Sequence, residues 1–221
     1  MERKVKFSPN EYYHLYSRGV EKRKIFLNTK DYERFMALLY IMNQPEPFHF
    51  TNFLKKNKIG EIFKEAKKKS LVSILSYTLM PNHFHILIYE NEEGGISKFM
   101  SRLLTAYSMY FNTKYERSGP LLTHPFRSQH ISVEAQYLWI FSYIHLNPIG
   151  IINKEIKTNG IGNKNVAEEF LKSYKYSSYY EYERMDRPES KILDLSLIPN
   201  YLLKNELNIG KYCDWLKKYQ G

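Results

Sequence analysis

Two histidines, His83 and His85, flank a phenylalanine in the run HFHILIYE. Side chains alternate between the faces of a strand, so both imidazoles share one face while Phe84 points to the opposite, helix-packed core. Two imidazoles side by side offer two nitrogen ligands to one divalent metal. Such a pair is weak evidence alone, because buried histidines are also found simply hydrogen-bonded to backbone. A second spacing supplies a third donor. Tyr143 and Asn147 lie four apart in a helical run, hence on one helix face a turn apart, with Ile140, Phe141 and Ile144 on a neighbouring face suited to a core. The Asn147 amide oxygen would complete a site of two histidines and one asparagine, and a catalytic metal needs an open position beside its protein ligands. Tyr143 would then sit next to the metal. Magnesium or manganese there could polarise a phosphodiester, and a phenol relieved of its proton could attack phosphorus to form a phosphotyrosine link. A free phenol titrates near ~10, so the cation or a base must help. Spacing does not prefer Tyr143 over Tyr107, Tyr110 or Tyr115 among the 20 tyrosines.

The elements that must position these groups follow from pattern. Residues 12–18 form an aromatic-rich strand ending at Gly19, and residues 31–42 carry apolar side chains at helical spacing with Asn28 and Thr29 available as caps. Residues 43–70 break the pattern with Pro45 and Pro47, then turn lysine-rich, and read as a connecting insertion with a short basic helix. Its charge run is a solvated face or a phosphate-contacting flap. Residues 71–80 and 83–90 are β-rich runs joined through Pro81-Asn82, the pattern of an antiparallel pair. Residues 96–115 make a long amphipathic helix, 125–133 hold a last strand, and 135–146 are helical until Asn147-Pro148. Strand, helix, strand, strand, helix, strand is the ferredoxin-like (RRM-like) α+β order, an antiparallel sheet with helices on one face, here followed by one more helix. Residues 1–150 are expected to form the catalytic domain and 151–221 a helical appendage packed on it, with a docking helix over 207–219.

Composition narrows the function. The chain of 221 residues carries 33 Lys plus Arg against 23 Asp plus Glu, a net charge of +10, with 16% aromatic residues and 43% hydrophobic. Wholesale disorder is excluded, and a polyanionic partner is favoured because cations draw phosphates and aromatic faces stack on unpaired bases. A lone Cys213 excludes a disulfide scaffold and any multi-cysteine metal site. Without a membrane-length apolar run or a signal-peptide pattern, a soluble cytoplasmic protein is expected.

The string LSYTLMPNHFHILI, a long helix, PFRSQHI and SYIHLNPIG resemble, in that order, the single-tyrosine HUH transposases, most closely the REP-associated tyrosine transposases of bacteria. The opening YYHLYSRGVEKRKIFLNTKDYERF is similar to that family's start, and YKYSSYY to its trailing Trp/Tyr-x-Ser-Ser-Tyr element. The resemblance implies that His83-Phe84-His85 is the HUH motif, that Tyr143 is the nucleophile and that Asn147 is the third ligand of a divalent metal, Mg2+ or Mn2+. It also implies cleavage and rejoining of single-stranded DNA near hairpins through a 5′-phosphotyrosine, with a 3′-hydroxyl released. Lys22, Arg23, Lys24 and Arg127 are the basic residues expected to contact DNA. His124 and His130 read as solvated, His145 points away from Tyr143, and Tyr174, Tyr176, Tyr179 and Tyr180 read as packing the appendage. A non-catalytic nucleic-acid-binding sheet and an HUH replication-initiator nickase are the competing readings. Monomer and homodimer stay open.

Overall fold

The computed structural model describes residues 6–66, 69–153, 163–183 and 186–198. Four strands, β1 (Tyr12–Arg18), β2 (Val72–Met80), β3 (His83–Glu90) and β4 (Arg127–Ile131), form one antiparallel sheet in the order β2-β3-β1-β4. This is the ferredoxin-like order expected from the sequence. Helix α1 (Thr29–Ile41) follows β1, and α3 (Gly95–Lys114) follows β3. Both pack on the face that receives Tyr13, Leu15, Phe84, Ile86 and Ile88, together making the larger core.

Strand alternation then commits His14, Tyr16, His83, His85 and Leu87 to the second face. That face is covered by α4 (Glu134–Leu146), whose Tyr137, Ile140, Phe141 and Ile144 meet Leu75, Leu87 and Ile131. Helices on one face therefore describes α1 and α3, while the helix after the last strand lies across the other side. A bulge between Ile74 and Ser76 makes this two-sided packing possible along β2: Ile74 and Tyr77 both enter the larger core, and Leu75 enters the smaller one. Helix α4 ends at Leu146, yet Asn147 and Pro148 keep right-handed helical angles and lead into α5 (Ile149–Ile152). Pro148 interrupts the hydrogen-bond ladder without turning the chain aside.

The insertion differs from its expected form. Its helix, α2 (Phe50–Leu54), stops just before the lysines, and a 3-10 segment spans Ile59–Lys64. Phe50, Ile62 and Phe63 are buried in the larger core and anchor the segment, while Lys55, Lys56 and Lys58 are exposed. Apolar anchoring, rather than charge, decided where the helix formed.

After α5, α6 (Lys164–Ser173) and α7 (Tyr179–Tyr182) bracket a stretch that runs beside β2. Leu79 N donates to Tyr176 O at 2.9 Å, Ser178 N donates to Tyr77 O at 2.9 Å, and Tyr174 Oη donates to Leu79 O at 2.6 Å. Tyr176 stacks on Tyr32 with ring centroids 3.8 Å apart, and Tyr179 is buried. The tyrosines of this region thus pack it onto the sheet, as their pattern suggested. Cys213 and the docking helix expected over 207–219 lie outside the described residues. Among the described residues no helix is long and apolar enough to cross a membrane.

Candidate active site

The β2–β3 hairpin and α4 bring the site together. His83 and His85 project from β3 onto the face under α4, with ring centroids 5.1 Å apart and planes at 90°. Tyr143, from the last full turn of α4, sets its ring edge-on to His85 at 5.2 Å and stacks on Trp139 at 5.2 Å. Asn147 lies one turn later. Burial pushes the Tyr143 phenol above its ordinary range, and Tyr16 pushes it the same way; the neighbouring Asn147 amide and the charge of Arg18 pull it back. The tyrosines that spacing could not separate are separated by the sheet. Tyr107 donates to Ile25 O, while Tyr110 and Tyr115 donate to Asp31, all on the α1/α3 side. Of the four, Tyr143 is on the histidine face.

Each histidine is held through Nδ1. Asn82 Oδ1 lies 2.6 Å from His83 Nδ1, and an amide oxygen only accepts, so that nitrogen carries the proton and Nε2 the lone pair. The same Asn82 donates through Nδ2 to Lys22 O, tying the hairpin turn to the loop after β1. His85 Nδ1 lies 2.8 Å from Nε2 of His14, which is buried on β1 and kept neutral by that burial, its pKa lowered to about 3. Metal-ligating histidines are commonly oriented in this way by a hydrogen bond at the other ring nitrogen. Two imidazoles and an amide suit a divalent cation, and being neutral they leave its full charge for an anionic substrate. No group of three or more His, Cys, Asp or Glu among the described residues is arranged to hold a metal.

The expected DNA-contacting residues lie around this end of the sheet. Arg127 is exposed on β4 opposite Tyr16, which is itself opposite His85, so Thr78, His85, Tyr16 and Arg127 make one cross-strand row. Lys22 and Lys24 are exposed in the loop held by Asn82, whereas Arg23 pairs with Glu21 at 2.9 Å. Glu21 and Lys22 both adopt positive φ, 56° and 61°, which keeps the loop tightly turned. His130 pairs with Glu11 at 2.9 Å and His124 is exposed. His145 is fully buried and meets Ser178 Oγ at 2.7 Å. None of these three is among the residues gathered at His85.

Sequence reading missed His14, Tyr16, Arg18 and Asn82. The first three alternate along β1, and Arg18 stands opposite His83 in the register. The signal was present in YYHLYSR, but it required pairing β1 with β3 residue by residue.

The profile of IS200-like transposases matches residues 9–146, from the start of β1 to the end of α4. The chain belongs to the IS200-like transposase family. Asn147 lies one residue beyond the match, whereas His83, His85 and Tyr143 lie within it. No curated protein matches this transposase. Among solved structures, one described as a REP-associated tyrosine transposase bound to a REP hairpin aligns with it over 89% of this chain and 95% of its own, at 10% identity and a TM-score of 0.48. As a transposase of this family the protein acts on DNA.

Proposed function

We propose that the protein cleaves and rejoins single-stranded DNA beside hairpins through a covalent bond between Tyr143 and a 5′ phosphate. The observation that carries this reading is the placement of Tyr143 edge-on to His85, in a chain of the IS200-like transposase family. His83, His85 and Asn147 would hold a magnesium or manganese ion, which polarises the scissile phosphate and offsets the charge that builds on it.

Tyr143 Oη attacks phosphorus and its proton passes to solvent water. The bond from phosphorus to the 3′ oxygen breaks, and that oxygen takes a proton back from solvent to become a 3′-hydroxyl, so no net proton is released. Rejoining is the reverse: an incoming 3′-hydroxyl attacks the phosphotyrosine, and Tyr143 leaves as a phenol. One phosphodiester is exchanged for another, so no nucleotide is hydrolysed. Asn147 and Arg18 both favour the developing phenolate, against the burial that disfavours it. Arg127 and Lys22 and Lys24 would guide the strand across the His85 row by neutralising its phosphates. An unpaired strand suits the site because in-line attack is hard to fit around a stacked, paired backbone.

The test is incubation of the protein with labelled single-stranded hairpin oligonucleotides and magnesium or manganese, followed by a denaturing gel. A covalent adduct is expected from the native protein and from Tyr16→Phe, and none from Tyr143→Phe. An undiminished adduct from Tyr143→Phe overturns the assignment of the nucleophile.

A further inference from the structure

Arg34 carries a charge to which the described residues supply no counter-ion. It stands in α1 three residues after Asp31, a spacing at which aspartate and arginine pair on a helix. Asp31 is instead occupied by Lys114 at 2.6 Å and by the hydroxyls of Tyr110 and Tyr115. The Arg34 guanidinium is held between two rings, with Cζ 4.0 Å from the centroid of Phe50 and 4.9 Å from that of Tyr110. Ring contacts satisfy the flat faces of a guanidinium, not the N–H groups in its plane. The Nε of Arg34 is buried and makes no hydrogen bond. Burial lowers the pKa of the group, yet an arginine stays protonated, so the cost of an unpaired charge remains.

Arg34 lines a cleft of about 540 Å³ between α2, α1 and α3. Lys114 and His49 share its wall, no aspartate or glutamate does, and Phe48 and the exposed Met109 give it an apolar side. In-plane donors call for anionic oxygens, and the adjoining apolar wall calls for a flat, weakly polar surface. A nucleotide unit offers both.

We propose that this cleft, on the sheet side opposite Tyr143, is a second DNA contact that takes a backbone phosphate of an unpaired strand on Arg34 and its adjoining base against Phe48 and Met109. The inference rests on the reading of the protein as acting on single-stranded DNA. It gives a purpose to α2, the part of the insertion that supplies Phe50.

The test is fluorescence anisotropy of the full chain with a labelled single-stranded oligonucleotide in EDTA, across a salt series. Arg34→Met, which keeps the stem between the rings and removes the charge, is expected to weaken binding about fivefold to tenfold and to lower the slope of log affinity against log salt by about one. Arg34→Lys should restore most of that slope. His49→Glu, a surface change at the rim, should weaken binding too and guards against a misfolded Arg34→Met. Either Arg34→Met or His49→Glu folding normally by circular dichroism and binding with native affinity and slope overturns the proposal. So does Arg34-dependent binding of inorganic phosphate or thymidine monophosphate with strand affinity untouched, which would make the ligand a free phosphate. A native protein that forms the Tyr143 adduct while Arg34→Met binds normally removes the cleft alone. A native protein that binds no single-stranded DNA removes both readings.

Discussion

Phe84 and His85 are adjacent in β3 and lie on opposite sides of one sheet. On the Phe84 side the layer directly on the sheet is apolar: Phe84, Ile86 and Ile88 meet α1 and α3 with no exposure, and the hydroxyl of Tyr107 is matched by Ile25 O. On the His85 side the space under α4 is filled by imidazole and phenol rings, and polar atoms are left over. Among the described residues His14 Nδ1, Thr78 Oγ1 and Trp139 Nε1 are all buried without a hydrogen-bond partner. Native interiors carry few such atoms, and where they gather a functional cause is the first explanation to test. The same four strands thus present a face that holds the fold together and a face that accepts imperfect packing around reactive groups.

The sharpest way to break this contrast is to remove a single oxygen. Tyr143→Phe should keep the ring against His85 and Trp139 and leave the melting temperature nearly unchanged, while adduct formation falls by at least about 10³-fold. Next comes Phe84→Ala, expected to cost about 3–5 kcal/mol of stability by emptying the larger core, measured by urea unfolding. His85→Ala should cost much less stability and abolish manganese binding; if the two neighbours prove equally destabilising, the division of labour between faces fails. His14→Leu should weaken manganese binding about 10–100-fold by calorimetry with the fold intact, and His14→Gln, which can still accept from Nδ1 of His85, should recover part of it.

The smallest effect is a pH dependence. His145 stays neutral in the folded chain down to about pH 3 because it is buried, whereas in the unfolded chain an imidazole gains a proton below about 6.5. Over that window the unfolded state holds the extra proton, so stability falls as the pH drops from about 6.5 towards 3, by up to about 1.4 kcal/mol per pH unit from this one group. Comparing urea midpoints at pH 7 and pH 5 for the native protein and His145→Gln should show a flatter acid limb in the variant. An identical slope would mean that another group carries the loss.

Period-two alternation put His83 and His85 together and sent Phe84 the other way, and the i, i+4 rule joined Tyr143 to Asn147, because both relations are local. The start of α1 was also within reach, since Asp31 accepts from the backbone N–H groups of Leu27 and Asn28, just where a cap was expected. His14 was out of reach for a different reason. Its partner lies 71 positions away, and only the β1–β3 register makes them neighbours. The face chosen by α4 was hidden as well. Ile140, Phe141 and Ile144 marked the helix's own core side, but nothing in EAQYLWIFSYIHL said which face of the sheet they would meet. Arg34 gave no signal in the sequence, because the rings that hold it come from α2 and α3 and the nearby Asp31 is claimed by Lys114 from α3.

The stretch beside β2 has a consequence for how these molecules meet one another. A bare outer strand is a template on which another chain can continue the ladder, the usual route to swapped dimers and fibrils. Here Ile74, Leu75, Tyr77 and Leu79 already direct outward backbone groups to Asp194, Tyr182, Ser178, Tyr174 and Tyr176. The opposite margin, β4, is five residues long and carries exposed Arg127 and His130. One border is occupied and the other is short and carries an exposed arginine, so among the described residues the sheet leaves no long bare edge for another strand to extend.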